Sequence, residues 1–134
     1  MIEITMESWE VIQNIQRDVN NKITYTEDAA KYPYLEIPEY WEIIEEQRGR
    51  GDCDDYVMTK RHLLRQEFPE QHGAIRVATC WDENDDYHAV LLIDTNRGTF
   101  VLDNRETNVV SWRSLDYQWH KIQRADGTWF LHQR

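Results

Sequence analysis

The spacing of apolar residues changes at Pro69, and that change restricts the fold more than any other feature of the chain. Upstream, Trp9, Ile12, Val19 and Ile23 recur at three, seven and four residues, the signature of one helix face from about Thr5 to Asn21. A second helix is expected to begin at Asp52, a good N-cap residue, and to bury Tyr56, Val57, Leu63 and Leu64 before Pro69 ends it. Between them, Asp28 to Tyr32 suits a short helical turn, Pro38 opens a helix running toward Gln47, and Arg48-Gly49-Arg50-Gly51 breaks it. Downstream the period becomes two. Ile75, Val77, Thr79 and Trp81 alternate with Arg76, Ala78 and Cys80, as residues of a strand do. The polar run Asp82 to Asp86 is then a loop, Tyr87 to Asp94 a second strand, and Thr99 to Arg105 a third. Tyr117 to Gln123 and Thr128 to His132 flank Ala125-Asp126-Gly127, a closing hairpin. Helices followed by an antiparallel meander predict the α+β class.

The 134 residues suit one domain, spanning 1–134, large enough to hold a core without disulfides. Two cysteines, Cys53 and Cys80, make no disulfide framework, so reactivity is a reason to have one. The formal net charge of -10 excludes nucleic acid as the main partner and disfavours an anionic membrane surface. No apolar run approaches the ~20 residues of a membrane span, and the acidic N-terminus lacks the order of a secretory signal. The expectation is a cytoplasmic protein; its oligomeric state is not encoded in any visible pattern.

Gly51-Asp52-Cys53-Asp54-Asp55-Tyr56 is the segment richest in chemistry. A cysteine at a helix start, after a glycine-containing loop, sits where unpaired amides and the helix dipole stabilise a thiolate. Asp52, Asp54 and Asp55 act the other way, because like charges raise a thiol pKa. A nucleophile here needs a compensating cation, either an imidazolium or a metal ion held by the carboxylates. His88 lies near the start of the second strand and Asp103 near the end of the third. A two- or four-residue turn at Thr95 to Gly98 puts both on one face of the sheet, whereas a three-residue turn without a bulge separates them. Cys53, His88 and Asp103 can then serve as nucleophile, base and orienting carboxylate.

Gly51-Asp52-Cys53-Asp54-Asp55-Tyr56-Val57, Lys60, His88-Ala89-Val90-Leu91 and Leu102-Asp103-Asn104 resemble the bacterial transglutaminase-like cysteine peptidases. The best-known members are LapG-type periplasmic proteases that release surface adhesins. Trp9, Val19-Asn20, Tyr25, Asp28 and Tyr40-Trp41 extend the likeness to about residues 9–110. The resemblance implies a papain-like, transglutaminase-type core, with N-terminal helices and a Cys-bearing helix packed on an antiparallel β-sheet. It implies Cys53 as nucleophile, His88 as general base and acid, and Asp103 as orienter. The oxyanion would be held by the Cys53 backbone N–H plus the Trp41 indole, with Tyr40 as second candidate. LapG-type members bind calcium beside the cysteine; Asp52 and Asp54 match those positions, and Asp55 is adjacent. The substrate implied is a protein. The missing signal and short chain depart from LapG-type members and suit a phage, prophage or intracellular processing enzyme.

Rival readings remain at this level. Cys80, mid-strand, lacks a helix dipole and reads as a buried small hydrophobe. His62, His72, His120 and His132 have no metal-ligand spacing, and Trp112, Trp119 and Trp129 read as packing residues. The Asp82 to Asp86 loop lacks the pattern of an EF-hand and reads as a solvated acidic turn. The same residues also accommodate a transglutaminase or amidase that passes its acyl group to an amine, and an inactive binding module of the same fold.

Overall fold

The computed structural model describes residues 1–22 and 51–132, and for 51–55 the backbone alone. The expected helical turn at 28–32 and the helix from Pro38 lie outside the described residues, as do Tyr40 and Trp41.

Helix α1 spans Met6–Lys22. Thr5 caps it: its Oγ1 accepts from the Ser8 N–H at 3.0 Å, while Ser8 Oγ accepts from the Thr5 N–H at 2.8 Å. This reciprocal pair satisfies two of the orphan donors at the helix start. Ile12 and Val19 are buried as their spacing requires, and Gln16 is buried between them. Helix α2 spans Gly51–Glu67, so Asp52 falls inside its first turn instead of capping it. Tyr56, Val57 and Leu64 are buried, but so are Met58, Thr59, Lys60 and Arg61. Six successive buried residues surround the helix, which is why its amphipathic pattern is less regular than that of α1.

A single 3-10 turn, His72–Ala74, leads into the sheet. Its strands are β1 (Ile75–Trp81), β2 (Tyr87–Thr95), β3 (Gly98–Leu102), β4 (Val110–Ser111), β5 (Gln118–Gln123) and β6 (Trp129–Leu131). They lie in the order β4-β3-β2-β1-β5-β6, every neighbouring pair antiparallel. The expected meander therefore holds only from β1 to β4. The chain then crosses to the far side and β5 pairs with β1, through a register shift between Ala78 and Cys80. Pairing β5 there covers what would be an exposed edge of β1, the usual remedy for unpaired backbone groups. The crossing segment packs Leu115 and Tyr117 against the sheet.

Both faces of the sheet are buried. Ile75, Val77, Ala89, Leu91, Ile93 and Leu102 pack against Ile12, Val57, Met58 and Leu64 of the two helices. Ala78, Cys80, Val90, Leu92, Val101 and Trp119 form the core of the opposite face. Double burial explains why β2 reads as a continuous apolar run, Ala89 to Ile93, and not as an alternation. Ile2, outside the expected elements, adds a parallel bridge to Thr95, with its N–H donating to the Asp94 carbonyl at 2.9 Å. Among the described residues no helix is long and apolar enough to cross a membrane.

Candidate active site

The β2–β3 register decides what meets at the end of the sheet where β2 begins and β3 stops. Thr95 pairs with Gly98 and Leu91 with Leu102, so the connection is the two-residue loop Asn96-Arg97. That parity gives His88 and Asp103 a shared face. The third strand ends at Leu102, short of the expected Arg105. Asp103 is thus free to turn toward His88, and His88 Nε2 and Asp103 Oδ1 stand 2.7 Å apart. Both side chains are buried, at 5% and 0% exposure.

Asp103 has further partners. The Arg105 N–H donates to its Oδ1 at 2.9 Å, and the Tyr117 hydroxyl donates to its Oδ2. Burial pushes the Asp103 carboxyl up, but the hydrogen bond and charge of His88, the Tyr117 hydroxyl and the Arg105 N–H outweigh it. The net result is a carboxyl held below its ordinary value. Burial and the Asp103 charge push the Tyr117 hydroxyl upward, so it keeps its proton and donates it to Asp103, while its oxygen accepts from Arg105 Nη1 at 3.4 Å. Its ring stands edge-on to the His88 imidazole, centroids 5.9 Å apart at 79°. Tyr117, read from sequence as the start of a strand, is a site residue that no local pattern announces.

Arg105 ties the acidic loop to this cluster. It donates to Asp82 Oδ2 at 3.2 Å and to both Glu83 oxygens, and its guanidinium lies 5.8 Å from the Tyr117 ring centroid. Hydrogen bonding to Glu83 raises the Arg105 pKa. Asp82 Oδ1 accepts the N–H groups of Asn84 and Asp86 at 2.8 and 2.9 Å. With both its oxygens so engaged, Asp82 serves the loop's own structure, in line with a structural acidic turn. Among the described residues no group of three or more His, Cys, Asp or Glu is placed to hold a metal ion.

On the helical side, Lys60 of α2 is fully buried, and its Nζ donates to Gln16 Oε1 at 2.7 Å. Gln16 Nε2 donates in turn to the carbonyls of Asp103 and Glu106, at 2.9 and 2.7 Å. Burial pushes the Lys60 ammonium down to about 7, against the opposing attraction of Asp103. The roles of both residues were missed at the level of sequence, and the signal that could have found them is a polar residue on an apolar stripe. Gln16 interrupts the Ile12–Val19 stripe, and Lys60 lies three residues after Val57 and four before Leu64.

Cys80 is the Cα partner of His88 and is fully buried, its thiol 3.6 Å from the His88 carbonyl, which fits its reading as a small core residue. Cys53 is the third residue of α2, with Asp52 beside it and Asp54 and Asp55 following. The side chains of all four lie outside the described residues.

A helix with a cysteine in its first turn, packed on an antiparallel sheet that presents a buried histidine–carboxylate pair, is the architecture of a transglutaminase-like thiol enzyme. The chain belongs to the family of bacterial transglutaminase-like cysteine proteinases (BTLCP), whose model matches residues 1–132. It is by that membership a cysteine peptidase, and a protease family implies a protein substrate. Legionella pneumophila LapG, EGTA-treated, superposes with a TM-score of 0.64 at 18% identity, covering 92% of this chain and 67% of that one. A second LapG structure gives 0.63 at 18% identity, over 91% and 66%. Calcium-bound LapG gives 0.55 at 20% identity, over 92% and 76%. These likenesses are of fold, and in the first two structures the chain spans about two thirds of the LapG length. No curated protein sequence matches the chain.

Proposed function

We propose that the protein is a thiol endopeptidase that cleaves a protein substrate through an acyl-enzyme on Cys53. The observation that carries this reading is the buried contact of 2.7 Å between His88 Nε2 and Asp103 Oδ1. A carboxylate bonded only by donors accepts the Nε2–H and selects that tautomer of the ring. Nδ1 is then the nitrogen that takes the Cys53 proton. The thiolate attacks the scissile carbonyl, and charge develops on its oxygen against the Cys53 N–H and the Trp41 indole N–H, with Tyr40 as alternative donor. The imidazolium returns its proton to the leaving amine, and water activated by the same ring hydrolyses the thioester.

Wild-type Cys53 should alkylate with iodoacetamide faster than a free thiol at pH 7, and Cys53→Ala should abolish peptidase activity. A rate equal to that of free cysteine removes the basis of the proposal.

The sequence places three carboxylates, Asp52, Asp54 and Asp55, near the start of α2, and hard carboxylate oxygens are the donor type that suits Ca²⁺. Such an ion would supply positive charge beside the thiol and offset the repulsion the three acids impose on a thiolate. LapG has been captured both calcium-bound and EGTA-treated. For this chain, Ca²⁺ at 100 times its Kd should stabilise by about 2.7 kcal/mol, seen as a raised melting temperature that EDTA reverses and Asp54→Asn abolishes. A melting temperature indifferent to both Ca²⁺ and EDTA removes calcium from the account.

A further inference from the structure

We propose that Lys60 and Gln16 are positioning residues that set Asp103 from behind, through its backbone, and so orient His88. The inference rests on the catalytic reading of Cys53, His88 and Asp103.

A lysine with no exposed surface is expensive to bury, and α2 buries one on the same stripe as Val57 and Leu64. Among the described residues its ammonium meets one hydrogen-bond acceptor, Gln16 Oε1, with the Tyr56 ring 5.7 Å away and Asp103 as its electrostatic partner. An ammonium group donates and never accepts. Gln16 must therefore turn its oxygen toward Lys60, which aims its NH₂ at the Asp103 and Glu106 carbonyls. The opposite amide orientation would set donor against donor at one end and oxygen against carbonyl oxygen at the other. Lys60 thereby dictates the direction of a side chain that clamps the turn after β3. Asn20 Nδ2 reinforces the clamp on the same two carbonyls at 3.3 and 2.9 Å.

The turn matters because Asp103 lies one residue beyond the end of β3, where ladder hydrogen bonds no longer hold the backbone. Its carboxylate is fixed in front by His88, Tyr117 and the Arg105 N–H, and its carbonyl behind by Gln16 and Asn20. Alignment of the imidazole requires both anchors, since small displacements of an orienting group propagate to the reacting atoms.

Two variants test this. Lys60→Met keeps the length of the side chain and removes the charge and the donor. Gln16→Glu keeps an acceptor for Lys60 and removes the donor to both carbonyls. Each should lower the alkylation rate of Cys53 by iodoacetamide roughly 10- to 100-fold at pH 7. Each should also broaden or displace the downfield proton resonance of the His88–Asp103 hydrogen bond, and Lys60→Met should leave the melting temperature unchanged or raised. Wild-type reactivity and an unmoved resonance in both variants overturn the inference. So does a lowered melting temperature of Lys60→Met with unchanged reactivity of the folded fraction, the mark of a purely structural lysine. Should wild-type Cys53 itself react no faster than free cysteine, the peptidase reading fails, while the His88 resonance still reports on the clamp.

Discussion

Asp103→Ala should lower kcat/KM by roughly 10³- to 10⁴-fold and destabilise the fold by about 3–5 kcal/mol. The activity loss follows from the ring. Without a carboxylate at Nε2 nothing selects the tautomer, and the imidazolium formed during attack loses its counter-charge. The stability loss follows from three donors stranded together, His88 Nε2, the Tyr117 hydroxyl and the Arg105 N–H. The pH dependence has a definite sign. Asp103 is held below its ordinary 3.8 in the folded protein, so its contribution is fully present above that pH and fades as the pH falls through the lower folded value. Urea denaturation at pH 7 and near pH 3 should show the gap between wild type and Asp103→Ala narrowing in acid. A constant gap, or a variant as stable as wild type at pH 7, contradicts the assignment.

Lys60 acts in the opposite direction. The unfolded chain keeps this lysine protonated to its ordinary 10.5, whereas the folded protein releases the proton near 7. Between those values the unfolded state binds more protons, so stability rises with pH, with a ceiling on the order of 5 kcal/mol across the window. Lys60→Met, which removes the desolvation penalty, should be the more stable protein at pH 6 by about 1–4 kcal/mol. That advantage should shrink by pH 9, where wild-type Lys60 is neutral. Parallel stability curves for the two proteins between pH 6 and 9 would show that the burial of Lys60 carries no such penalty.

Local patterns in the sequence were enough to place α1, α2, β1, β2 and the closing hairpin within a residue or two, α1 and β1 by a periodic apolar face, the others by apolar residues bounded by glycine, proline or polar turns. They left open whether His88 and Asp103 share a side, because that depends on the turn length, and the two-residue loop at Asn96-Arg97 is what fixes the parity. The meander failed at β5 for a physical reason. Covering the β1 edge is a gain of the whole sheet, and no residue between Ser111 and Gln118 signals it.

The site divides along the same line. That His88 and Asp103 could meet was legible, because strand geometry restricts which residues share a face, whereas Cys53 enters on its residue type and its place at a helix start. Tyr117, Arg105 and the direction of the Gln16 amide were not legible, and a polar residue on an apolar stripe was the one signal that could have found Gln16 and Lys60. Lys60 lies 44 residues from Gln16 and Gln16 lies 87 from Asp103, separations at which no periodicity survives. By itself the sequence determined which surfaces each element would bury and which residues were chemically able to react. Only the tertiary structure decided which polar groups would share the buried end of the sheet. That depends on desolvation, and a buried donor takes whichever acceptor the packing of distant elements brings within 3 Å.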